Sequence, residues 1–246
     1  MVREEQLRLL KGLINHLDNK TNVNAGGILK TPADTYISED RFEREWNSFF
    51  LNHPQIIGLS GDLPKPNTYL TTEDFGSPVL AVRNDSGEFK AYANVCSHRG
   101  VTVESGERGE KTKFSCPFHG WTFDNEGKLV GYPKKEQFGD IDKDCYGLKE
   151  LPAIEKFGFL WVHPCTDGVI NLDDLLGEKL LTEFESWDFQ SLVFANEDKY
   201  ETEMNWKLAI DTFGETYHFS VLHKDSLFES FHGNCQLFDS FKRNGR

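Results

Sequence analysis

The chain has 246 residues, enough for one large domain or two modest ones with cores of their own. Its formal net charge is -13, with 40 acidic against 27 basic residues, and no basic block, which argues against nucleic acid and anionic membranes as partners. No run of about 18 apolar residues occurs, so no membrane-spanning helix is expected.

The N-terminus, Met1 to Gln6, has no apolar signal core, and its acidic residues fit poorly with a transit peptide. Leu10, Leu13, Ile14 and Leu17 recur at three- and four-residue steps, which predicts an amphipathic helix over 4–17. An Asn-rich loop over 18–27, closed by Gly26 and Gly27, follows. Ser38 before Glu39 and Asp40 reads as an N-cap with acids at the positive end of a helix that runs through Phe42, Trp46, Phe49 and Phe50.

From Gln55 the texture changes to short apolar runs between turn residues. Residues 77–83 and 88–94 flank Asn84-Asp85-Ser86-Gly87, a hairpin signature. Further strands are expected over 111–115, 121–123, 128–132 and 158–163, a helix over 173–184 and a strand over 192–203. No Gly-rich phosphate loop precedes a helix, so binding of a nicotinamide cofactor by this chain is not expected. Of five cysteines, Cys145, Cys165 and Cys235 show no framework spacing, which fits free thiols in a reducing cytoplasm.

The other two cysteines stand in paired loops, Cys96-Ser-His98-Arg-Gly and Cys116-Pro-Phe-His119-Gly-Trp. Thiolates suit iron–sulfur clusters and zinc, and imidazole suits iron, zinc and copper. A common zinc site pairs its cysteines in one knuckle and its histidines in another, whereas each loop here mixes the two. That order suits a [2Fe–2S] cluster with two thiolates on one iron and two imidazoles on the other. A zinc knuckle is the bland alternative.

These loops, with the Arg99-Gly100 and Gly120-Trp121 that follow them, resemble the cluster loops of Rieske non-haem iron oxygenases. A second stretch points the same way. Asn205-Trp206-Lys207, then Glu215, Tyr217-His218 and His223, resembles the mononuclear-iron segment of that family. A regular helix would aim His218 and His223 about 140° apart, so a π-bulge or a break between them is expected if they share an ion.

The resemblance implies an α+β chain in three parts: an N-terminal helical segment 1–50, an antiparallel β Rieske [2Fe–2S] domain 51–165, and the start of a helix-grip-like catalytic domain 166–246. It implies Cys96, His98, Cys116 and His119 as cluster ligands, His218 and His223 as Fe(II) ligands, and Glu215 as the acidic bridge between the two metal sites. The third iron ligand is expected downstream of Arg246, since Asp225, Glu229 and Asp239 do not occupy the family's context for it. The sequence then reads as a partial one, cut within the catalytic domain. The implied activity is hydroxylation or demethylation of a small organic substrate with O₂, fed by a reductase or ferredoxin, in a homotrimer with or without a small β subunit. A Rieske ferredoxin-like electron carrier is the alternative, but it has no use for the His218/His223 pair.

Overall fold

The computed structural model describes residues 1–24, 26–231, 235–242 and 244–246; Ala25, within the loop read at 18–27, lies outside them. Helix α1, Arg3–Asn19, ends where Lys20 turns left-handed and donates its N–H to the carbonyls of His16 and Leu17. After α2, Asp34–Ile37, the Ser38 hydroxyl accepts the Arg41 N–H at 3.3 Å and caps α3, Glu39–Glu45. The helix then widens into a π-helical turn over Trp46–Leu51, which sets Trp46 against Phe50 with ring centroids 4.6 Å apart and planes tilted by 32°.

The strands follow: β1 Gln55–Leu59, β2 Thr68–Thr72, β3 Val79–Arg83, β4 Phe89–Ala93, β5 Arg108–Glu110, β6 Lys113–Ser115, β7 Thr122–Asp124 and β8 Leu129–Gly131. A short α4, Lys135–Phe138, precedes β9 Glu150–Leu151, β10 Ala153–Lys156 and β11 Phe159–Val162. The chain closes with α5 Leu172–Leu176, α6 Glu178–Glu185, α7 Trp206–Phe213 and the small pair β12 Ser240–Phe241 and β13 Asn244–Gly245. No helix among the described residues is long and apolar enough to cross a membrane.

The chain divides into two compact units, and the division is not serial. One unit, here the ligand-loop unit, comprises 44–171 and 188–196; the other, the terminal unit, comprises 1–43, 172–187 and 197–246. The helical segment read as 1–50 falls mainly in the terminal unit, through residues 1–43. No residue of α1 is fully buried in the fold, and the helix groups with chain from the far end of the sequence. Within the terminal unit Gly12 lies so close to Leu237 that an added Cβ would come within 2.8 Å of that side chain.

In the ligand-loop unit all pairings are antiparallel. A five-stranded sheet runs β5-β2-β3-β4-β9, beside two three-stranded sheets, β1-β11-β10 and β6-β7-β8. The expected β3–β4 hairpin is present, with Val79 opposite Ala93 and Arg83 opposite Phe89. Its turn is held by the Asn84 side-chain oxygen, which accepts from Ser86 and the Glu88 N–H. Side chains alternate across a strand, and β3 is buried on both faces. Leu80 and Val82 join Tyr92, Val103, Phe114 and Phe123 in the larger core, whereas Val79 and Ala81 pack with Leu160 and Val162 of β11 and their neighbours in the smaller ones.

Two expectations fail in instructive ways. The helix read at 173–184 is broken into α5 and α6 by Gly177, whose φ of +76° is left-handed and cannot continue a helix. Residues 192–203 form no strand, because alternation supplies a face but no partner for the backbone, and no ladder forms there among the described residues.

Leu80 has no exposed surface and ties β3 to the larger core. Leu80→Ala is expected to lower stability by about 2–5 kcal/mol in urea unfolding followed by circular dichroism. Ile28→Ala, at a position 92% exposed, is expected to change it by less than about 0.5 kcal/mol.

Candidate metal centres

The two Cys/His loops leave the sheets in different ways and close alike. The first follows β4, where Val95 bridges Thr102; the second caps the β6–β7 hairpin above the Ser115–Thr122 pair. In the first, the Cys96 N–H donates to the Val101 carbonyl at 2.8 Å and the Gly100 N–H to the Cys96 carbonyl at 2.9 Å. In the second, Cys116 donates to Trp121 at 2.8 Å and Gly120 to Cys116 at 2.9 Å. Both glycines are left-handed, with φ of +75° and +68°, so each ring closes at a backbone position that disfavours side chains. His98 is third in its ring and His119 fourth in its own. The unequal spacings of the sequence are one backbone motif carrying imidazole at adjacent positions.

This backbone sends the thiols inward and the imidazoles outward. Cys96 and Cys116 are buried in the larger core, and their thiols interact. His98 is half-buried and His119 exposed, with ring centroids 4.8 Å apart. Burial pushes the Cys96 thiol up, with Cys116 adding to the rise, so a metal arriving here must displace protons. Burial also holds His98 below the usual imidazole range, and the neighbouring His119 and Arg99 add to this, which keeps a neutral ring available for coordination.

Among the described residues no three His, Cys, Asp or Glu converge as they would around a single ion. A buried sulfur pair and an outward imidazole pair fit a two-iron cluster, since such a cluster separates its thiolate iron from its imidazole iron.

Asn94 is the support that the sequence reading missed. Its buried amide donates to the Glu104 carbonyl at 2.7 Å and accepts the N–H groups of Val103 and Glu104 at 3.2 and 3.0 Å, closing the base of the first loop. Glu104 in turn accepts the Gly106 N–H at 2.8 Å and pairs with Lys111.

In the terminal unit, Asn205 caps α7 by accepting the Lys207 N–H at 3.1 Å. The helix stops at Gly214, and a single 3₁₀ turn, Tyr217–Ser220, carries the chain on. A break, not a π-bulge, therefore separates the two histidines, and it brings the rings of His218 and His223 to 5.3 Å. Glu215 accepts from His218 Nδ1 at 2.5 Å and from the backbone N–H groups of Tyr217 and His218. These bonds, the His218 one foremost, hold the Glu215 carboxyl below its usual range. With Nδ1 protonated, Nε2 of His218 is the free donor. Of the nearby carboxylates, Asp239 is engaged by Arg8 and Arg246, and Asp225 is exposed beside Lys224.

Residues 53–154 match the Rieske [2Fe-2S] domain family, and residues 189–246 match the ring hydroxylating alpha subunit (catalytic domain) family. The chain belongs to the Rieske non-haem iron oxygenases. It is 36% identical over 199 residues to the large oxygenase component of a naphthalene 1,2-dioxygenase system from Ralstonia sp, covering 76% of this chain and 41% of the relative. It is 30% identical over 202 residues to the oxygenase subunit of glycine betaine monooxygenase from Chromohalobacter salexigens, covering 80% and 43%. The apo structure of the quaternary ammonium Rieske monooxygenase CntA aligns with a TM-score of 0.70 at 26% identity, covering 79% of this chain and 57% of that one. The chain spans about half the length of the relatives it matches. A Rieske domain holds a [2Fe–2S] cluster, and oxygenases of this family also use a mononuclear non-haem iron. The match at 189–246 sets the chain apart from Rieske ferredoxin-like carriers.

Asn94→Leu leaves three buried backbone groups without partners and is expected to cost about 2–5 kcal/mol in urea unfolding. For Glu104, burial alone would raise the pKa, but Lys111 and the Gly106 N–H outweigh it and lower the carboxyl below the usual range. Its stabilising contribution is then full above the unfolded Glu pKa, about 4.3, and is lost as pH falls through the lower folded value. Urea midpoints measured from pH 7 down to 3 are expected to fall less steeply for Glu104→Gln than for the parent.

Proposed function

We propose that this chain carries both metal sites of a Rieske oxygenase component that oxidises a small organic substrate with O₂, by hydroxylation or demethylation. The matched pair of loops, with thiols in the core and imidazoles at the surface, carries this reading. Cys96, Cys116, His98 and His119 would hold the cluster, and His218 and His223 two positions of the iron. When bound, the two groups supply one-electron transfer and O₂ activation.

The chain's own residues have separable tasks. Asn94 and the two left-handed glycines fix the spacing of the loops, and the larger core keeps water from the sulfurs. Glu215 sets the His218 tautomer, and with three hydrogen bonds already accepted its carboxylate has room for a fourth, as a bridge to a cluster histidine requires. We assign the parts as residues 1–50, 51–165 and 166–246 along the sequence, a reductase or ferredoxin as electron donor, and a homotrimer in the reducing cytoplasm as the working form. Relatives acting on naphthalene and on glycine betaine support small organic molecules as the substrate class.

Iron, acid-labile sulfide and zinc per chain, measured on anaerobically purified protein, test the reading. Three irons and two sulfides support both sites, and two of each support the cluster alone. Zinc without sulfide overturns the proposal. Glu215→Ala is expected to leave sulfide unchanged and to weaken Fe(II) binding at His218 and His223 by about 10–100-fold in anaerobic competition titration.

A further inference from the structure

The two imidazoles at the tips of the loops sit in different surroundings. His98 lies flat on the buried indole of Trp121, with ring centroids 4.8 Å apart and planes within 4°. Phe138 meets both rings edge-on at 5.9 Å, and Tyr132 and Tyr146 close on the indole at 5.8 and 5.7 Å. The carbonyl of Tyr146 accepts the hydroxyl of Ser97, next to His98, at 2.6 Å, so the same enclosure is tied to the loop backbone. Among the described residues His119 has no such platform: its ring is exposed and tilts at 42° against Phe118, itself 58% exposed.

We propose that Trp121 is a positioning residue for His98, fixing the plane of this one imidazole and shielding its side of the cluster from water. Trp121 belongs to the second loop and His98 to the first, so the stack also locks the two loops together. A single indole thereby couples loop spacing to ring orientation. The inference rests on the Rieske reading of the four ligands.

The electronic consequence has a sign. Reduction adds one negative charge to the cluster, and water stabilises that charge better than an aromatic enclosure does. The electron-rich face of the indole likewise disfavours added negative charge on the cluster that the stacked imidazole would ligate. Both effects lower the reduction potential of the parent, and both are lost when the indole is removed.

The test compares the whole 246-residue chain with Trp121→Leu and Trp121→Phe. Iron and sulfide are counted first, followed by the midpoint potential and the low-temperature EPR spectrum of the reduced protein. The expected result is a higher potential and broader EPR features in Trp121→Leu, with Trp121→Phe restoring both most of the way. Equal potentials and line widths in the parent and in every variant that retains two sulfides per chain overturn the proposal. A parent without sulfide overturns the Rieske reading instead, which keeps the two failures distinct. Phe138→Leu serves as a control at the rim: it is expected to move the potential in the same direction by less, and a larger shift than that of Trp121→Leu would place the effect at the rim and also overturn the proposal.

Discussion

Two thiols held side by side in a hydrophobic interior are the constraint on which the ligand-loop unit depends. The Cys96 thiol does not ionise readily there, because burial penalises its charge and the neighbouring Cys116 adds to the penalty. A cation between them reverses both penalties, so metal uptake and the stability of this core are thermodynamically linked. The aromatic and aliphatic side chains that pack around the sulfurs, Tyr92, Val103, Phe114 and Phe123 among them, are the same ones that join the sheets. Stabilising the fold and keeping water from the two sulfurs are then a single act of packing.

Much of this was legible in the sequence because the signals are local. Ser38 caps its helix, Asn84 to Gly87 turn a hairpin, and each Cys/His loop ends in the glycine that its backbone requires. What escaped the sequence depends on distant partners. Asn94 looks like a turn residue after a strand, and only the return of Val103 and Glu104 to its amide makes it a clamp. Helix α1 looks like a separate segment, yet it belongs with residues from the other end of the chain. Residues 192–203 have the alternation of a strand and lack the neighbouring edge that would make them one.

The two candidate metal sites also show two ways of fixing a donor set. In the ligand-loop unit, long-range packing fixes it: loops from two sheets meet over a common core, and an indole from one loop carries an imidazole from the other. In the terminal unit the order is local. Glu215 reaches His218 three residues on, and a break in the helix brings His223 back beside it, while Phe213, Tyr217 and Val221 around them stay largely exposed. A site set by a core tolerates changes at its rim and fails when the core is opened. A site set by one carboxylate contact fails with that contact. The Cys/His loops therefore draw their geometry from the stability of the whole unit, whereas the His218/His223 pair draws its own from Glu215, whose two oxygens are both engaged within the same short segment.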